Sequence, residues 1–111
     1  MSLRIEKIND LIRAQLGIIL QREFGPEFGL ISINRVETSP DLENCRINIS
    51  IFSGTADPVE AVAQLNRRQG KIRTLLAHSI KLKHTPRLNF VYDDSLAHAQ
   101  KIEKILKDLK Q

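Results

Sequence analysis

The sequence has too few cysteines for disulfide bonds within the chain and no apolar run long enough for a membrane anchor. It contains 111 residues with one cysteine, no tryptophan and few aromatic residues, and no apolar run approaches the roughly 20 residues of a membrane span. A lone cysteine, Cys45, forms no disulfide within the chain, which excludes a disulfide-stapled secreted domain. Both charges occur in the first turns, so we expect no signal peptide. We predict a soluble protein without a membrane partner, in a reducing, cytoplasm-like compartment.

Patterns that would indicate catalysis or metal binding are also missing. No pair of cysteines or histidines has zinc-site spacing, and the glycines form no phosphate-binding loop. Cys45 stands at an inward strand position, which predicts a buried, inert thiol. The neighbouring Asp93 and Asp94 are better explained by helix capping than by acid–base chemistry. We therefore expect no enzyme activity, no metal and no cofactor, and we interpret the three histidines as surface side chains: His78, His84 and His98.

The distribution of basic and acidic residues along the sequence is its strongest indication of function. Lys and Arg number 17 against 13 Asp and Glu, and no acidic residue occurs between Glu60 and Asp93. A solvated helical face usually mixes signs, because opposite charges four residues apart stabilise a helix. One interpretation is a soluble face that is basic by chance, and the other is a phosphate-binding face. This acid-free stretch contains seven basic residues: Arg67, Arg68, Lys71, Arg73, Lys81, Lys83 and Arg87.

The N-terminal part predicts a long helix. Its apolar residues recur at spacings of three and four, which places them on one stripe. Ser2 is a candidate N-cap, and Gly25-Pro26 with Gly29 is expected to end the helix. The stripe comprises Ile5, Ile8, Leu11, Ile12, Leu16, Ile19, Leu20 and Phe24.

Two strands and a turn follow. The β-branched segment 30–38 predicts a strand whose alternation slips between Ile33 and Val36, which indicates a bulge. Residues 39–44 are typical of a turn, and apolar residues then alternate with polar ones over 45–52. The short connection predicts an antiparallel hairpin. Phe52, on the polar side of its strand, is the one aromatic candidate for stacking on a base.

A helical crossover comes next. Asp57 and Pro58 are suited to the cap and first position of a helix, and Glu60 could complete a capping box. The predicted inward residues of this helix are Val59, Val62 and Leu65. Gly70 interrupts the pattern, so that either one helix kinks there or two helices meet.

A third strand and a last helix complete the chain. Alternation over 88–92 predicts the strand, and Asp94 or Ser95 could cap the helix. Because helical crossovers usually join parallel strands, we predict an α+β fold with a three-stranded mixed sheet and helices packed on one face. We predict that residues 1–111 form one domain. The predicted inward residues of the last helix are Leu96, Ala99, Ile102, Ile105, Leu106 and Leu109.

The order α-β-β-α-kink-α-β-α, with a basic stretch around Gly70, resembles a KH domain of the helix-first type. More closely, the chain resembles the ribosome-binding factor A family from about Arg4 to about Ile105. The family lacks the usual two-glycine KH loop and has an Ala-x-Gly kink, which here is Arg68-Gln69-Gly70. The resemblance is carried by residues 18–23, 36–42, 70–76 and 82–95.

This resemblance implies an RNA-binding factor rather than an enzyme. Such a bacterial protein would bind the small ribosomal subunit and its ribosomal RNA, assist late subunit assembly and rRNA maturation, and leave with the help of a partner such as an assembly GTPase. We expect a monomer. Candidate phosphate-binding residues are the seven basic residues of the acid-free stretch together with three on the first helix: Arg4, Lys7 and Arg13.

Two other functions stay open. A DNA-binding helix-turn-helix module would use residues 71–83 as its recognition helix, although the link at Gly70 is shorter than the usual turn. A protein-interaction domain would bind through the hairpin or the terminal helices and would have no affinity for nucleic acid.

Overall fold

The computed structural model describes residues 3–52, 57–93 and 104–109. Its elements follow the predicted order, and residues 104–109 are helical after the last strand. The elements are α1 (Leu3–Phe28), β1 (Leu30–Thr38), β2 (Asn44–Phe52), α2 (Pro58–Arg67), α3 (Gln69–Ser79) and β3 (Arg87–Tyr92).

The first helix is longer than predicted. We expected Gly25-Pro26 and Gly29 to end it. The part of this prediction that concerns Gly25-Pro26 is wrong, because α1 continues through Pro26 to Phe28, and the part that concerns Gly29 is confirmed, because Gly29 ends the helix with a positive φ of 92°. The reason is packing, since Phe28 is buried and stacks on Phe24 with ring centroids 6.2 Å apart. The predicted inward orientation of Leu11 is wrong, because Leu11 is 41% exposed. Ser2 lies outside the described residues.

The hairpin and its bulge are confirmed. β1 and β2 pair antiparallel, and the register shifts between Ile33 and Arg35. A bulge leaves backbone carbonyls off the ladder, and here the side chain of Arg13 donates to the carbonyls of Ile33 and Asn34, at 3.0 Å each. Arg13 therefore fastens α1 to the bulge.

The sheet is mixed and buried on one face. β2 lies in the centre, antiparallel to β1 and parallel to β3. Cys45, Ile47 and Ile49 lie opposite Leu88, Phe90 and Tyr92 in the register, and these side chains face the helices. The helices contribute the other half of the core, including Ile12, Leu16, Leu20, Leu65, Ile72 and Leu76. Burial of these apolar side chains drives the packing of helices on the sheet.

The start of α2 is confirmed, but its inward face is shifted. Asp57 accepts a hydrogen bond from the backbone N–H of Val59 at 3.0 Å, and Pro58 occupies the first helical position. The predicted burial of Val59 is wrong, because it is 62% exposed. The buried face of α2 consists of Ala61, Val62 and Leu65, and Val59 lies outside this face.

Two helices meet at Arg68. α2 ends at Arg67 and α3 begins at Gln69, with Arg68 at φ −100° and ψ 13°. The kink that we predicted at Gly70 therefore lies two residues earlier. Gly70 has an ordinary φ, and a Cβ added to it would meet nothing within 4 Å. Neither close approach nor unusual backbone geometry requires glycine there.

The C-terminal helical residues do not face the core. Ile105, Leu106 and Leu109 are 52%, 55% and 77% exposed, so their predicted inward orientation is wrong. Periodicity identifies the apolar face of a helix but not what covers that face. The predicted caps and the other inward residues of this helix lie outside the described residues: Asp94, Ser95, Leu96, Ala99 and Ile102.

Candidate nucleic-acid interface

Basic side chains from the two ends of the chain converge beside α3. The segment 81–86 connects α3 to β3 and lies against the first turns of α1. Between them runs a groove of about 560 Å³ whose cationic side chains are Arg4, Lys7, Lys81 and Lys83. We call these four residues and the apolar side chains between them the basic groove. All four cations are exposed, and Lys7, Lys81 and Lys83 make no ion pair within the described ranges.

The basic surface continues from this groove towards β3. Lys83 and His84 also border a depression of about 330 Å³ along α3, together with Arg73. Arg73, His84 and Arg87 then line a further depression of about 370 Å³. Because these depressions share residues, the cations form one continuous surface, which suits the repeated phosphates of a nucleic-acid backbone.

Arg73 positions the segment that carries this surface. Its guanidinium Nε and Nη2 atoms donate to the carbonyl of Thr85 at 3.0 and 2.6 Å. This half-buried bidentate contact holds segment 81–86 against α3. Arg73 therefore fixes the positions of Lys83 and His84 in addition to contributing its own charge.

Arg67 and Arg68 lie apart from the groove and are paired. Arg67 makes an ion pair with Glu60 at 3.5 Å. Arg68 makes an ion pair with Glu27 at 3.2 Å and lies over the ring of Phe24, 5.6 Å from its centroid. Arg68 thus connects the junction of α2 and α3 to the end of α1. Lys71 is exposed, lines none of the depressions described above, and stays a predicted phosphate contact like Arg67 and Arg68.

Two carboxylates border the same surface, and sequence analysis did not identify them. Asp41 and Glu43, on the β1–β2 turn, line a pocket of about 410 Å³ with Arg4, Lys83 and His84. Hydrogen bonds from the Ser39 hydroxyl and the Glu43 backbone amide hold the pKa of Asp41 below its ordinary value. The sequence predicted only that these residues lie in a turn, and a turn pattern does not indicate which surface the turn borders.

Other sequence predictions concern candidate reactive groups. Burial raises the pKa of the Cys45 thiol to about 11, as expected for an inert cysteine. His78 and His84 are exposed as predicted, and His98 lies outside the described residues. Phe52 is only half-buried. Asp93 accepts a hydrogen bond from Asn34 at 2.9 Å.

Within 3–52, 57–93 and 104–109, no group of three His, Cys, Asp or Glu side chains could hold a metal ion. No helix in those ranges is long and apolar enough to cross a bilayer.

Comparisons with known proteins agree with this architecture. The crystal structure of ribosome-binding factor A from Thermus thermophilus superposes with a TM-score of 0.69 at 19% identity, covering 79% of this chain and 94% of that one. A homology model of the Thermus thermophilus protein, fitted into a cryo-electron microscopy map of a 30S complex, gives a TM-score of 0.66 at 20% identity, covering 78% and 91%. The fold is therefore the KH-like, helix-first α+β fold.

Sequence comparison identifies the family. The ribosome-binding factor A from Thermomicrobium roseum is 33% identical over 111 residues, which span 99% of this chain and 86% of that protein. The family model for ribosome-binding factor A matches residues 4–106. The chain therefore belongs to the ribosome-binding factor A family.

Proposed function

We propose that this protein is a single-domain assembly factor that binds the small ribosomal subunit through its ribosomal RNA. The observation that carries the proposal is the convergence of Arg4, Lys7, Lys81 and Lys83 on one groove. Lys7, Lys81 and Lys83 make no ion pair within the described ranges, so they can neutralise phosphates and release counterions, which favours RNA binding. Family membership and the 30S complex of the Thermus thermophilus relative support the same partner.

The biological role that we propose is assistance in late assembly of the subunit and in rRNA maturation. Preferential binding to one conformation of a flexible RNA shifts the RNA towards that conformation. This role requires no reaction and no cofactor. It places the monomeric protein in the cytoplasm, and release would follow a change of the RNA state, with an assembly GTPase as the partner.

The helix-turn-helix alternative is less well supported. α3 ends at Ser79, so residues 80–83 do not extend a recognition helix. α2 and α3 are separated by Arg68 alone, whereas the motif uses a turn of roughly three to four residues.

Co-sedimentation with isolated small subunits tests the proposal. We expect binding that weakens steeply between low and moderate salt. The double variant Lys81→Glu/Lys83→Glu should lose binding and flatten the salt dependence, because each removed phosphate contact lowers the slope by about one. Arg67→Glu/Lys71→Glu is a matched charge reversal outside the groove, and it should weaken binding less than Lys81→Glu/Lys83→Glu does.

Three results would contradict parts of the proposal. Affinity that is flat with salt would exclude a phosphate-binding surface. Loss in the Arg67→Glu/Lys71→Glu variant alone would move the site to the junction of α2 and α3. Binding that neither double variant affects would favour a protein-interaction domain. The maturation role is tested separately, since depletion of the protein should raise the ratio of precursor to mature small-subunit rRNA.

A further inference from the structure

The pocket beside the β1–β2 turn has an apolar floor that phosphate binding alone does not require. It lies between the first turns of α1, residues 41–43 of the turn and segment 82–86, and its volume is about 410 Å³. We call it the turn pocket. Its floor consists of Ile8, Leu42, Leu82 and Pro86. A concave, mostly apolar surface of this size, with a few polar groups, is typical of sites that bind a small ligand.

The rim of the turn pocket carries basic side chains from two parts of the fold. Arg4 on α1 and Lys83 and His84 on the connecting segment line it. Lys83 also borders the basic groove, so a backbone phosphate bound there lies next to the turn pocket. Guanidinium and imidazole planes are surfaces on which unstacked RNA bases lie. The rim therefore suits a nucleotide whose phosphate is in the groove and whose base enters the turn pocket.

The β1–β2 turn contributes acidic side chains to the lining of the same pocket, Asp41 and Glu43. One oxygen of Asp41, Oδ1, holds the turn together, since it accepts from the Ser39 hydroxyl at 2.5 Å and from the Glu43 backbone amide at 3.0 Å. The backbone of Glu43 is fixed, because its carbonyl accepts from Arg87 at 2.8 Å. The Glu43 carboxylate itself makes no hydrogen bond or ion pair within the described part of the chain.

A carboxylate at this position selects for hydrogen-bond donors. An ionised carboxylate accepts only, through two oxygens side by side, and it repels phosphate. Among the RNA bases, guanine presents two adjacent donors on its Watson–Crick edge, the N1–H and the N2 amino group. Cytosine and adenine present one amino group each beside an acceptor, and uracil presents one N–H between two carbonyls.

We infer that the turn pocket binds one unstacked guanine of RNA, with the Glu43 carboxylate accepting from the guanine N1–H and N2 amino group. The base lies on the floor formed by Ile8, Leu42, Leu82 and Pro86, beside Arg4 and His84. This inference rests on the proposed function, because it names the nucleotide that the RNA-binding surface recognises. In general, bidentate contacts to a base edge discriminate against the wrong base by roughly 5- to 160-fold.

Fluorescence anisotropy with short RNA hairpins tests the inference. The probes are identical except for one bulged nucleotide, which is guanosine, inosine, adenosine, cytidine, uridine or absent. We expect the bulged guanosine to bind about tenfold more tightly than inosine, which lacks the N2 amino group, or than the hairpin without a bulge. Equal affinities, or preference for another base, would overturn the inference.

Glu43→Gln is the decisive variant, because the amide presents a donor where the carboxylate presents an acceptor. It should abolish the preference for guanosine over inosine while keeping salt-sensitive binding. Glu6→Gln makes the same charge change on an exposed residue of α1 that does not line the pocket, and it should keep the preference. Urea unfolding of both variants checks that they remain folded. A preference that survives Glu43→Gln would contradict the assignment.

Photocrosslinking on intact small subunits separates this inference from the proposed function. With p-benzoylphenylalanine in place of Pro40, an exposed neighbour of Asp41 on the turn that lines neither the pocket nor the basic groove, we expect a crosslink to a guanosine of the ribosomal RNA. A crosslink to another nucleotide or to a ribosomal protein would overturn the guanine pocket and leave subunit binding intact. If the native protein binds neither subunits nor hairpins, the proposed function and the inference fail together.

Discussion

Two side-chain amides hold the outer strands of the sheet. Asn66 on α2 donates to the Phe90 carbonyl and accepts from the Phe90 N–H, both at 2.8 Å. Gln21 on α1 accepts from the Ile31 N–H at 3.0 Å and donates to the Gly29 carbonyl at 3.2 Å. Each amide therefore pairs backbone groups at an edge of the sheet. Covered edges protect a sheet from pairing with another chain.

Asn66→Ala should lower the free energy of unfolding by about 2 kcal/mol, because it leaves the N–H and carbonyl of the buried Phe90 without partners. Asn89→Ala is the control. Asn89 is exposed on the neighbouring position of the same strand, and its substitution should change stability by less than about 0.5 kcal/mol. Urea titrations give both values. Equal losses of stability for the two variants would show that the hydrogen bonds between the Asn66 amide and Phe90 do not stabilise the protein.

The Cys45 thiol makes stability depend on pH in the alkaline range. Burial raises its pKa from 9.0 to about 11, and the hydrogen bond from Thr38 only partly offsets this. In the unfolded chain the thiol ionises near pH 9, whereas in the native protein it stays protonated. Stability should therefore fall as pH rises from about 9 to about 11.

Denaturant titrations over this pH range, with native protein and Cys45→Ala, isolate the contribution of the thiol, since the two proteins are otherwise identical. The variant should lose less stability between pH 9 and 11. Iodoacetamide at pH 8 should label the unfolded chain and leave the native thiol unmodified. Parallel pH profiles for the two proteins would contradict the raised pKa.

Helix ends show which glycines the fold requires. Gly29 ends α1 with φ 92°, a conformation that costs a side-chain-bearing residue about 1–2 kcal/mol. Gly70 lies in the first turn of α3 in open space. These two positions look alike in the sequence, because each glycine interrupts an apolar helical pattern.

Gly29→Ala should therefore destabilise the protein by about 1–2 kcal/mol. Gly70→Ala should stabilise it by about 0.5–1 kcal/mol, since alanine favours the helix and loses less backbone entropy on folding. Thermal and urea unfolding measure both changes. If Gly70→Ala destabilises the protein as much as Gly29→Ala, glycine at 70 has a structural role that the open space around it does not explain.

At the scale of helices and strands, features that depend on neighbouring residues were predicted correctly. Features that depend on how the elements pack against one another were not. The bulge after Ile33 and the Asp57 cap were predicted, because both depend on neighbouring residues. The continuation of α1 through Pro26 depends on the burial of Phe28, and the exposure of Val59 depends on how α2 packs. Neither is visible in a local pattern.

At the scale of the molecule, folding separates cations that the sequence groups together. Arg68 forms an ion pair with Glu27, which lies 41 positions away in the sequence. This ion pair connects the junction of α2 and α3 to the end of α1. Lys81 and Lys83 instead meet Arg4 and Lys7, from the opposite end of the chain. The candidate interface is therefore centred on the basic groove rather than on Gly70.

By itself the sequence determined the order of helices and strands, the one buried face of the sheet and the basic character of the surface. These follow from hydrophobic periodicity, from caps and turns that act over a few residues, and from the absence of acidic residues between Glu60 and Asp93. Only the tertiary structure decided which cations are paired and which line a groove. It also decided that Glu43 faces the turn pocket and that the edge strands are held by Asn66 and Gln21. Those contacts join residues far apart in the chain, and their geometry is fixed by how the helices pack on the sheet rather than by any local pattern.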